Sequence, residues 1–238
     1  NVLVKDKGIR GVVVKIGHYF NSVKLDGDKV SAEAGIALSE LVRFTARHGL
    51  SGLEFAEGIP GSLGGAVVMN AGAYDGEIRD VLVEVIALSP EGEIECFPAS
   101  DLKLGYRHSI FQTNQYIVLA AKLQLRYGKT ADIMAKINDY NARRREKQPL
   151  EMPSAGSTFR RPAGYYVGPL IEKMGLKGYQ IGGAQVSGKH AGFIVNAGGA
   201  TAADVLALIR EVQRQVYEKF GVRLQPEVRV FGGVGGKE

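Results

Sequence analysis

The chain has 238 residues, of which 45% are hydrophobic and 23% are charged, a composition typical of one large or two modest globular domains. No run approaches the ~18 consecutive apolar residues that cross a bilayer, and no cationic start leads into an apolar stretch, so the sequence predicts neither a membrane segment nor a secretory leader. The net charge of +5 permits a phosphate-bearing or polyanionic partner.

The first half of the chain predicts short strands, paired antiparallel, around one helix and one glycine-rich loop. Apolar residues recur at helical spacing from Leu38 to Thr45, and His48-Gly49 is a suitable end for that helix. Turn residues separate the strand-like runs, which favours hairpins. The predicted strands are residues 1–4, 11–16, 29–34, 81–88, 94–97 and 116–125.

The glycine-rich stretch 58–76 is the most informative part of the chain. Clustered glycine is costly in chain entropy, so it indicates positive φ angles or a group pressed against main-chain N–H groups. Successive N–H groups can bind an anion, and Pro60-Gly61-Ser62 could open a helix whose N-terminus attracts phosphate. A loop packed tightly under a sheet explains the composition equally well. The stretch matches neither the dinucleotide fingerprint nor the P-loop.

Cys96, the single cysteine, lies in an alternating, strand-like run. We expect a packed thiol there, with no internal disulfide and no zinc site. One unpaired cysteine is also consistent with a reducing cytoplasm.

The second half predicts a helix over 130–146, a proline-marked linker over 148–156, and a smaller α+β region after it. Thr201 and Asp204 form a loose capping box for a helix with a strong apolar stripe, and Gly221 ends that helix. The remaining predicted elements are a helix over 166–174 and strands over 180–186, 193–195 and 222–231.

Much of the positive charge lies in two clusters, 143–147 and 160–161, that flank a Gly-Ser turn. This spacing suits a small phosphorylated ligand better than nucleic acid, which favours aromatic residues interleaved with basic ones. A solvated helix end explains the first cluster equally well, because basic residues favour helix C-termini.

Five segments in order resemble one family, the UDP-N-acetylenolpyruvoylglucosamine reductases (MurB), in their compact form. No single motif is decisive, but the ordered set covers nearly the whole chain and is highly specific. The segments are 58–65 with 70–74, 105–111, 155–159, 182–187 with 189–196, and 226–229.

The resemblance implies an α+β fold of the vanillyl-alcohol-oxidase/MurB type, with FAD between two subdomains and a third α+β subdomain over the substrate. The implied divisions are a flavin-binding region at 1–148, a substrate-binding domain at 149–222, and a final strand at 223–238 that returns to the flavin-binding region. The resemblance further implies a cytoplasmic enzyme without a metal, nucleic-acid or membrane partner. The sequence does not give the oligomeric state, and a monomer is the expectation.

The family's reaction assigns roles to individual residues. NADPH reduces FAD and leaves, a hydride then reaches the terminal carbon of the enolpyruvyl group, and a serine protonates the neighbouring carbon to give UDP-N-acetylmuramate. The resemblance assigns that proton to Ser157, with Arg107 and Glu227 as its catalytic partners. By the same correspondence the cofactor-binding residues are Asn1, Gly58, Ile59, Pro60, Gly61, Ser62, Gly64, Gly65, Asn70, Gly72 and Ala73, and the substrate-binding residues are Tyr74, Lys147, Arg161, Lys189 and His190.

The chemistry gives independent support to this trio. Hydride addition beside a carboxylate leaves negative charge that needs a preorganised cation and a nearby acid. An arginine fork matches a carboxylate, and a desolvated glutamate can hold a proton. Outside the family, Ser157 would be a turn hydroxyl, Arg107 a surface ion-pair residue and Glu227 a strand-edge charge.

Two departures from the family pattern shape the expectations. The span from Arg107 to Ser157 is short, so the tyrosine-bearing insertion of the larger enzymes is missing, and another group must cap the substrate. The family also has a glycine-rich turn ahead of the position of Asn1, which would cradle the flavin pyrophosphate. Residues 1–238 alone are therefore expected to bind FAD weakly or not at all, which leaves a non-enzymatic nucleotide-binding module as the alternative and RNA binding as a more remote one.

Overall fold

The structure is a computed structural model that describes residues 1–74 and 76–233. The chain forms two compact units, which we call the central unit (Val14–Arg144) and the terminal unit (Asn1–Val13 with Arg145–Glu238). Asp75 of the glycine-rich stretch and residues 234–238 of the predicted final segment lie outside the described residues. The compact units group Asn1–Val13 with the second half of the chain, whereas the predicted functional divisions, which stay a prediction, group those residues with the first.

Five helices and fifteen strands are described, and their mixture of antiparallel sheets and helices confirms the predicted α+β class. None of the described helices is long and apolar enough to cross a membrane. The helices are α1 Leu38–Arg47, α2 Leu63–Met69, α3 Thr130–Lys147, α4 Val167–Lys173 and α5 Ala202–Phe220. The strands are β1 Val2–Val4, β2 Val23–Asp26, β3 Lys29–Glu33, β4 Leu50–Ser51, β5 Gly72–Ala73, β6 Gly76–Glu77, β7 Leu82–Leu88, β8 Ile94–Pro98, β9 Ile117–Gln124, β10 Arg126–Tyr127, β11 Ser154–Ser157, β12 Gln180–Ile181, β13 Ala184–Val186, β14 Phe193–Asn196 and β15 Arg229–Phe231.

The central unit is built on a five-stranded antiparallel sheet with the order β2-β3-β9-β7-β8. Alternation along β3 turns Val30 and Ala32 into the core, where Val30 lies opposite Leu123 of β9. α1 adds a buried apolar stripe to this core, and α2 packs against β9. The sheet thereby supports the beginning of the glycine-rich stretch, residues 58–62, which leads directly into α2.

The terminal unit contains a second antiparallel sheet with the order β11-β14-β13-β12, and α5 packs against β13. The apolar stripe of α5 buries Leu208, Ile209, Val212 and Val216, as its periodicity predicts. β1 pairs in parallel with β15, so the two ends of the described chain lie side by side.

Most predicted elements are confirmed, and those with explicit end signals are confirmed closely. Thr201 and Asp204 form a complete capping box at the start of α5, and Gly221 adopts a left-handed conformation (φ 67) after its end. α1 ends before His48, and the hairpin of β7 and β8 forms as predicted.

Five predictions are wrong in part or in whole. Residues 11–16 form no strand, because no described segment pairs with them, and Val12 is 92% exposed. The predicted strand 180–186 is a hairpin of β12 and β13 that turns at Gly182-Gly183. The predicted linker ends in strand β11.

The predicted final strand and the packed thiol also need correction. Only Arg229–Phe231 of residues 222–231 forms a strand, because Pro226 lacks an N–H and makes just an isolated bridge to Phe159. Cys96 is exposed, because it lies on the outward face of the edge strand β8.

Candidate active site

The glycine-rich loop is hydrogen-bonded to the segment that follows β3. The amide of Gly64 donates to the carbonyl of Ala34 (2.8 Å), and the amide of Leu63 donates to that of Ile36 (2.9 Å). A Cβ on Gly64 would lie 2.8 Å from the Cβ of Ala34, so glycine is required there for close packing. Tight packing against the sheet therefore accounts for Gly64.

Gly65 has a different environment, although it is the next residue. It is exposed in α2, and an added Cβ would meet nothing nearer than the Ser62 hydroxyl oxygen at 3.9 Å. Glycine inside a helix costs about 1 kcal/mol relative to alanine, and here no packing contact requires it. A missing side chain on an open surface suits a ligand that approaches the main chain, so the loop fits the predicted flavin.

The start of α2 confirms the predicted helix opening. Ser62 is the N-cap, with extended backbone (φ −100, ψ 165), and its hydroxyl oxygen accepts from the amide of Gly65 at 3.5 Å. Pro60 and Gly61 precede it as exposed residues, while Gly58 and Ile59 are half-buried. The cofactor roles of all these residues stay predictions.

Asn70 is completely buried, and its side chain joins three segments of the central unit. It ends α2 in a left-handed conformation (φ 41). Its Nδ2 donates to Glu77 Oε2 and to the carbonyl of Gly105, both at 3.0 Å, and its Oδ1 accepts from the amide of Arg79 at 2.9 Å. Protein groups therefore use both donors of this side chain, which makes its contribution to a cofactor site one of support.

Arg107 lies in a tight turn with left-handed backbone (φ 53). Two backbone hydrogen bonds between Gly105 and His108, each 3.1 Å, close this turn. The Arg107 guanidinium donates to the carbonyl of Gly72 (3.0 Å) and lies over the Tyr106 ring, 5.0 Å from its centroid. The structure thus brings together the predicted catalytic arginine and the predicted cofactor segment at Gly72-Ala73.

Tyr74 packs against α3. Its ring stacks on that of Tyr140 at 4.3 Å and 5°, and its hydroxyl donates to the Tyr140 carbonyl at 3.2 Å. Both rings also line a cavity of about 310 Å³ in the central unit, together with Glu54 and Lys136. A substrate role for Tyr74 stays a prediction, and it would use the edge of a ring that is already held in place.

Glu57 was not predicted, although it directly precedes the glycine-rich stretch. It is 2% exposed, and its Oε1 accepts from Asn141 Nδ2 (3.1 Å) and pairs with Arg43 Nη2 (3.5 Å). The bond between Glu57 and Asn141 attaches the beginning of the loop to α3. Gly58 packs closely against the same helix, since an added Cβ would lie 2.9 Å from Cδ of Arg144. Burial holds the pKa of Arg144 below its ordinary value, and the charges of Tyr74 and Glu57 offset only part of that effect.

The basic cluster at the end of α3 is divided. Arg144 is buried, on the same helical face as Ile133 and Ile137, whereas Arg143 pairs with Asp139 at 2.8 Å and Lys147 is exposed. The spacing of Arg144 from those apolar residues was the sequence signal for its burial.

Ser157 and Glu227 lie on adjacent backbone segments of the terminal unit. β11 carries one extra residue opposite β14, since Ser154 pairs with Val195 and Ser157 with Phe193. Gly156 (φ 80) makes this bulge, and bulges commonly re-aim a side chain. Ser157 is exposed at its end.

Thr158 links the two predicted catalytic residues through its backbone and side chain. Its carbonyl accepts from the amide of Glu227 at 2.8 Å, and its buried hydroxyl oxygen accepts from the amide of Ile194 at 3.0 Å. The side chain of Asn1 in turn donates to the Glu227 carbonyl at 3.4 Å. The structure therefore brings Asn1 and Glu227 together beside the Ser157 segment.

The predicted substrate residues of the terminal unit differ in their exposure and in the contacts of their side chains. Lys189 is exposed and pairs with Glu151 at 3.6 Å, and the Arg161 guanidinium lies 3.8 Å from the centroid of the exposed Tyr166 ring. His190 is half-buried, and its Nδ1 accepts from the Gly192 amide at 3.1 Å. Burial lowers the pKa of His190, so the ring is neutral at pH 7, with its proton on Nε2.

The predicted site residues are shared between the units. The central unit holds the loop 58–65, Asn70, Gly72 to Tyr74, and Arg107, and the terminal unit holds Asn1, Lys147, Ser157, Arg161, Lys189, His190 and Glu227.

Two family models match the chain. Residues 148–231 match the C-terminal domain of UDP-N-acetylenolpyruvoylglucosamine reductase, and residues 1–97 match an FAD binding domain.

Curated relatives and a solved structure agree with these matches. A UDP-N-acetylenolpyruvoylglucosamine reductase of Syntrophomonas wolfei is 57% identical over 98% of this chain and 78% of its own length. One from Caldanaerobacter subterraneus is 53% identical over 98% of this chain and 76% of its own. The crystal structure of UDP-N-acetylenolpyruvylglucosamine reductase from Thermus caldophilus superposes with a TM-score of 0.85, at 36% identity, over 98% of this chain and 82% of that one.

Proposed function

The chain belongs to the UDP-N-acetylenolpyruvoylglucosamine reductase family, and from that premise we propose how its residues divide the work of the reaction. It is an FAD-dependent oxidoreductase that reduces UDP-N-acetylenolpyruvoylglucosamine to UDP-N-acetylmuramate in peptidoglycan precursor synthesis. The observation that carries this conclusion is 57% identity to a reductase along 98% of the chain. FAD, once reduced by NADPH, supplies the hydride for the enolpyruvyl double bond.

The glycine-rich loop and its supports hold the flavin. The bare surface at Gly61 and Gly65 lets the cofactor approach the main chain, and Asn70 fixes the end of α2 through its three hydrogen bonds. Glu57 holds the beginning of the same loop against α3 through Asn141. The loop is therefore braced at both ends, which limits the loss of chain entropy on binding.

Arg107 binds the substrate carboxylate. Its guanidinium is oriented by the Gly72 carbonyl and by the ring of Tyr106. Addition of hydride to the terminal enolpyruvyl carbon places negative charge on the neighbouring carbon and its carboxylate. A cation held beforehand at that position stabilises the charge as it develops, and no reorganisation is required.

Ser157 protonates the neighbouring carbon. A serine hydroxyl is a weak acid, so the transfer requires a strongly basic carbon and a hydroxyl held within reach. The bulge at Gly156 presents the Ser157 side chain at the surface of the terminal unit. Glu227, on the adjacent segment, orients the hydroxyl and helps return a proton to the serine oxygen.

Cationic side chains of the terminal unit bind the nucleotide diphosphate. Lys147 and Lys189 are exposed and positively charged, and Arg161 is pre-oriented by Tyr166. His190 contributes a hydrogen bond from Nε2 rather than charge, because its ring is neutral. Tyr74 contributes a ring edge as the group that covers the substrate.

The setting and the quaternary structure are also proposals. We place the enzyme in the cytoplasm as a monomer. An exposed, unpaired Cys96 is consistent with a reducing compartment.

The test separates the two halves of the reaction in the Ser157→Ala variant. For the full-length protein with this substitution we expect a yellow colour, nearly unchanged reduction of the flavin by NADPH, and a second half-reaction slowed on the order of 100-fold or more. Equal loss in both halves would refute the proton-donor role. Colourless protein that takes up no added FAD would favour a nucleotide-binding module without flavin chemistry.

A further inference from the structure

Gln112 connects Arg107 to the helix that follows the glycine-rich loop. Its Nε2 donates to the backbone carbonyl of Arg107 at 2.8 Å and to that of Val68, in α2, at 3.1 Å. The side chain is half-buried. One amide group thus holds the Arg107 backbone at a fixed distance from α2.

This attachment matters because Arg107 has an unfavourable backbone conformation. A non-glycine residue at φ 53 persists only where its surroundings enforce it. If the backbone of this turn relaxed to a negative φ, the Cα–Cβ bond of Arg107 would point in another direction. The guanidinium would then move away from the Gly72 carbonyl. The enforcing contacts therefore determine where the positive charge lies.

Neighbouring side chains hold the same turn at other points. The buried hydroxyl of Ser109 donates to the Val68 carbonyl at 2.7 Å, and Asn70 Nδ2 donates to the Gly105 carbonyl at 3.0 Å. These bonds fasten residues on either side of Arg107. Gln112 differs because it bonds to the Arg107 carbonyl itself.

We propose that Gln112 is a positioning residue that keeps Arg107 in its left-handed conformation and so aims the guanidinium at the substrate carboxylate. The inference rests on the proposed role of Arg107. It adds a residue to the reductase site through a contact with the protein rather than with substrate or flavin.

Two substitutions remove the donor while keeping the length of the side chain. Gln112→Glu places acceptor oxygens against two carbonyl groups, and Gln112→Met removes the polar group. With flavin-loaded enzyme and no NADPH, so that no turnover occurs, calorimetry gives the Kd of UDP-N-acetylenolpyruvoylglucosamine. We expect Kd to rise and the second half-reaction to slow by about 10- to 100-fold, while flavin reduction by NADPH is unchanged.

Gln213→Met is the matched control. Gln213 Nε2 donates to the backbone carbonyl of Leu224 at 2.8 Å, in the terminal unit. The lost bonds are of the same type, but Gln112→Met loses two of them and Gln213→Met one. The melting temperature should therefore fall in both variants, and by more in Gln112→Met. Kd and the second half-reaction should change only for Gln112. Equal effects of the two variants on Kd would reduce Gln112 to a structural role.

A double-mutant cycle with Arg107→Ala separates positioning from general destabilisation. If Gln112 acts through Arg107, then Gln112→Met should add almost nothing to the loss caused by Arg107→Ala. Additive losses would overturn the inference and leave the proposed function intact. Unchanged Kd and rates in Arg107→Ala itself would instead overturn the proposed role of Arg107, and this inference with it.

Discussion

The carboxylate of Asp6 accepts a hydrogen bond from the backbone amide of Ala202, the first residue of α5, at 2.6 Å. Its other oxygen accepts from the amide of Ala203 at 3.1 Å. Helix N-termini leave such amides without helical partners, and a negative charge there also interacts favourably with the helix dipole. The first residues of the chain thus help to start the long helix of the terminal unit.

Asp6→Ala should destabilise the terminal unit by about 1 kcal/mol, as is typical for the loss of a capping group. Asp6→Asn should cost less, because an amide oxygen still accepts one bond. Urea denaturation followed by circular dichroism gives the free energy of unfolding. Thr201→Ala, which removes the cap within the helix itself, is the comparison. If the free energy of unfolding of Asp6→Ala equalled that of the parent chain, the capping box of Thr201 and Asp204 would be sufficient to stabilise the start of α5.

Gly64 and Gly65 should respond oppositely to alanine. Gly64→Ala drives a methyl group into Ala34 and should lower the free energy of unfolding by about 1–3 kcal/mol. Gly65→Ala should raise it by up to about 1 kcal/mol through helix propensity. The methyl group of Gly65→Ala should also weaken FAD binding on the order of tenfold, because it would lie on the surface that we propose for the flavin.

Two measurements on each variant check this pair. Denaturant unfolding without FAD gives stability, and fluorescence titration with FAD gives affinity. If Gly65→Ala bound FAD as tightly as the parent chain, the flavin would have to lie elsewhere on the central unit.

Local signals made the helices predictable. Thr201, Asp204 and Gly221 fix the ends of α5 through contacts within a few residues, and periodicity fixes its buried face. Strands depend on partners elsewhere in the chain. Residues 11–16 have strand composition but no described partner. The orientation of Cys96 could not be derived, because the face of β8 that becomes buried depends on the layer opposite it.

The site shows the same limit. Arg107, Ser157 and Glu227 were predicted as catalytic residues from short segments that resemble a family, and their roles stay predictions. Gln112, Thr158 and Glu57 were missed, because their roles arise from partners between 5 and 84 residues away. Such contacts become visible only when the fold brings the segments together.

Thr158→Val should destabilise the protein by about 1–3 kcal/mol, because the amide of Ile194 would remain buried without an acceptor. Thr158→Ser keeps the hydroxyl and should restore most of the loss. Thr45→Val is the matched control. Thr45 is equally buried, but its hydroxyl donates to the carbonyl of Val42, which the ladder of α1 already uses.

Thermal and urea unfolding of the three variants check this ranking. A loss in Thr45→Val as large as that in Thr158→Val would mean that any buried threonine hydroxyl matters equally. The bulge at Ser157 would then need another support.

His190 should make stability depend on pH below neutrality. Burial lowers its pKa in the folded state, whereas the unfolded chain titrates near the ordinary value of about 6.5. As the pH falls from about 6.5 toward the folded pKa, the unfolded state binds a proton that the native state does not, so the free energy of unfolding decreases. Below the folded pKa this contribution stays constant.

His190→Asn should remove that part of the slope. The amide oxygen of asparagine can accept from the Gly192 amide in place of Nδ1, and the new side chain does not titrate. The variant should be less stable than the parent chain at pH 7.5, because ring packing against Phe193 is lost. The deficit should narrow toward pH 5. Urea unfolding at half-unit intervals of pH measures both effects, and parallel curves would show that His190 titrates alike in the folded and unfolded states.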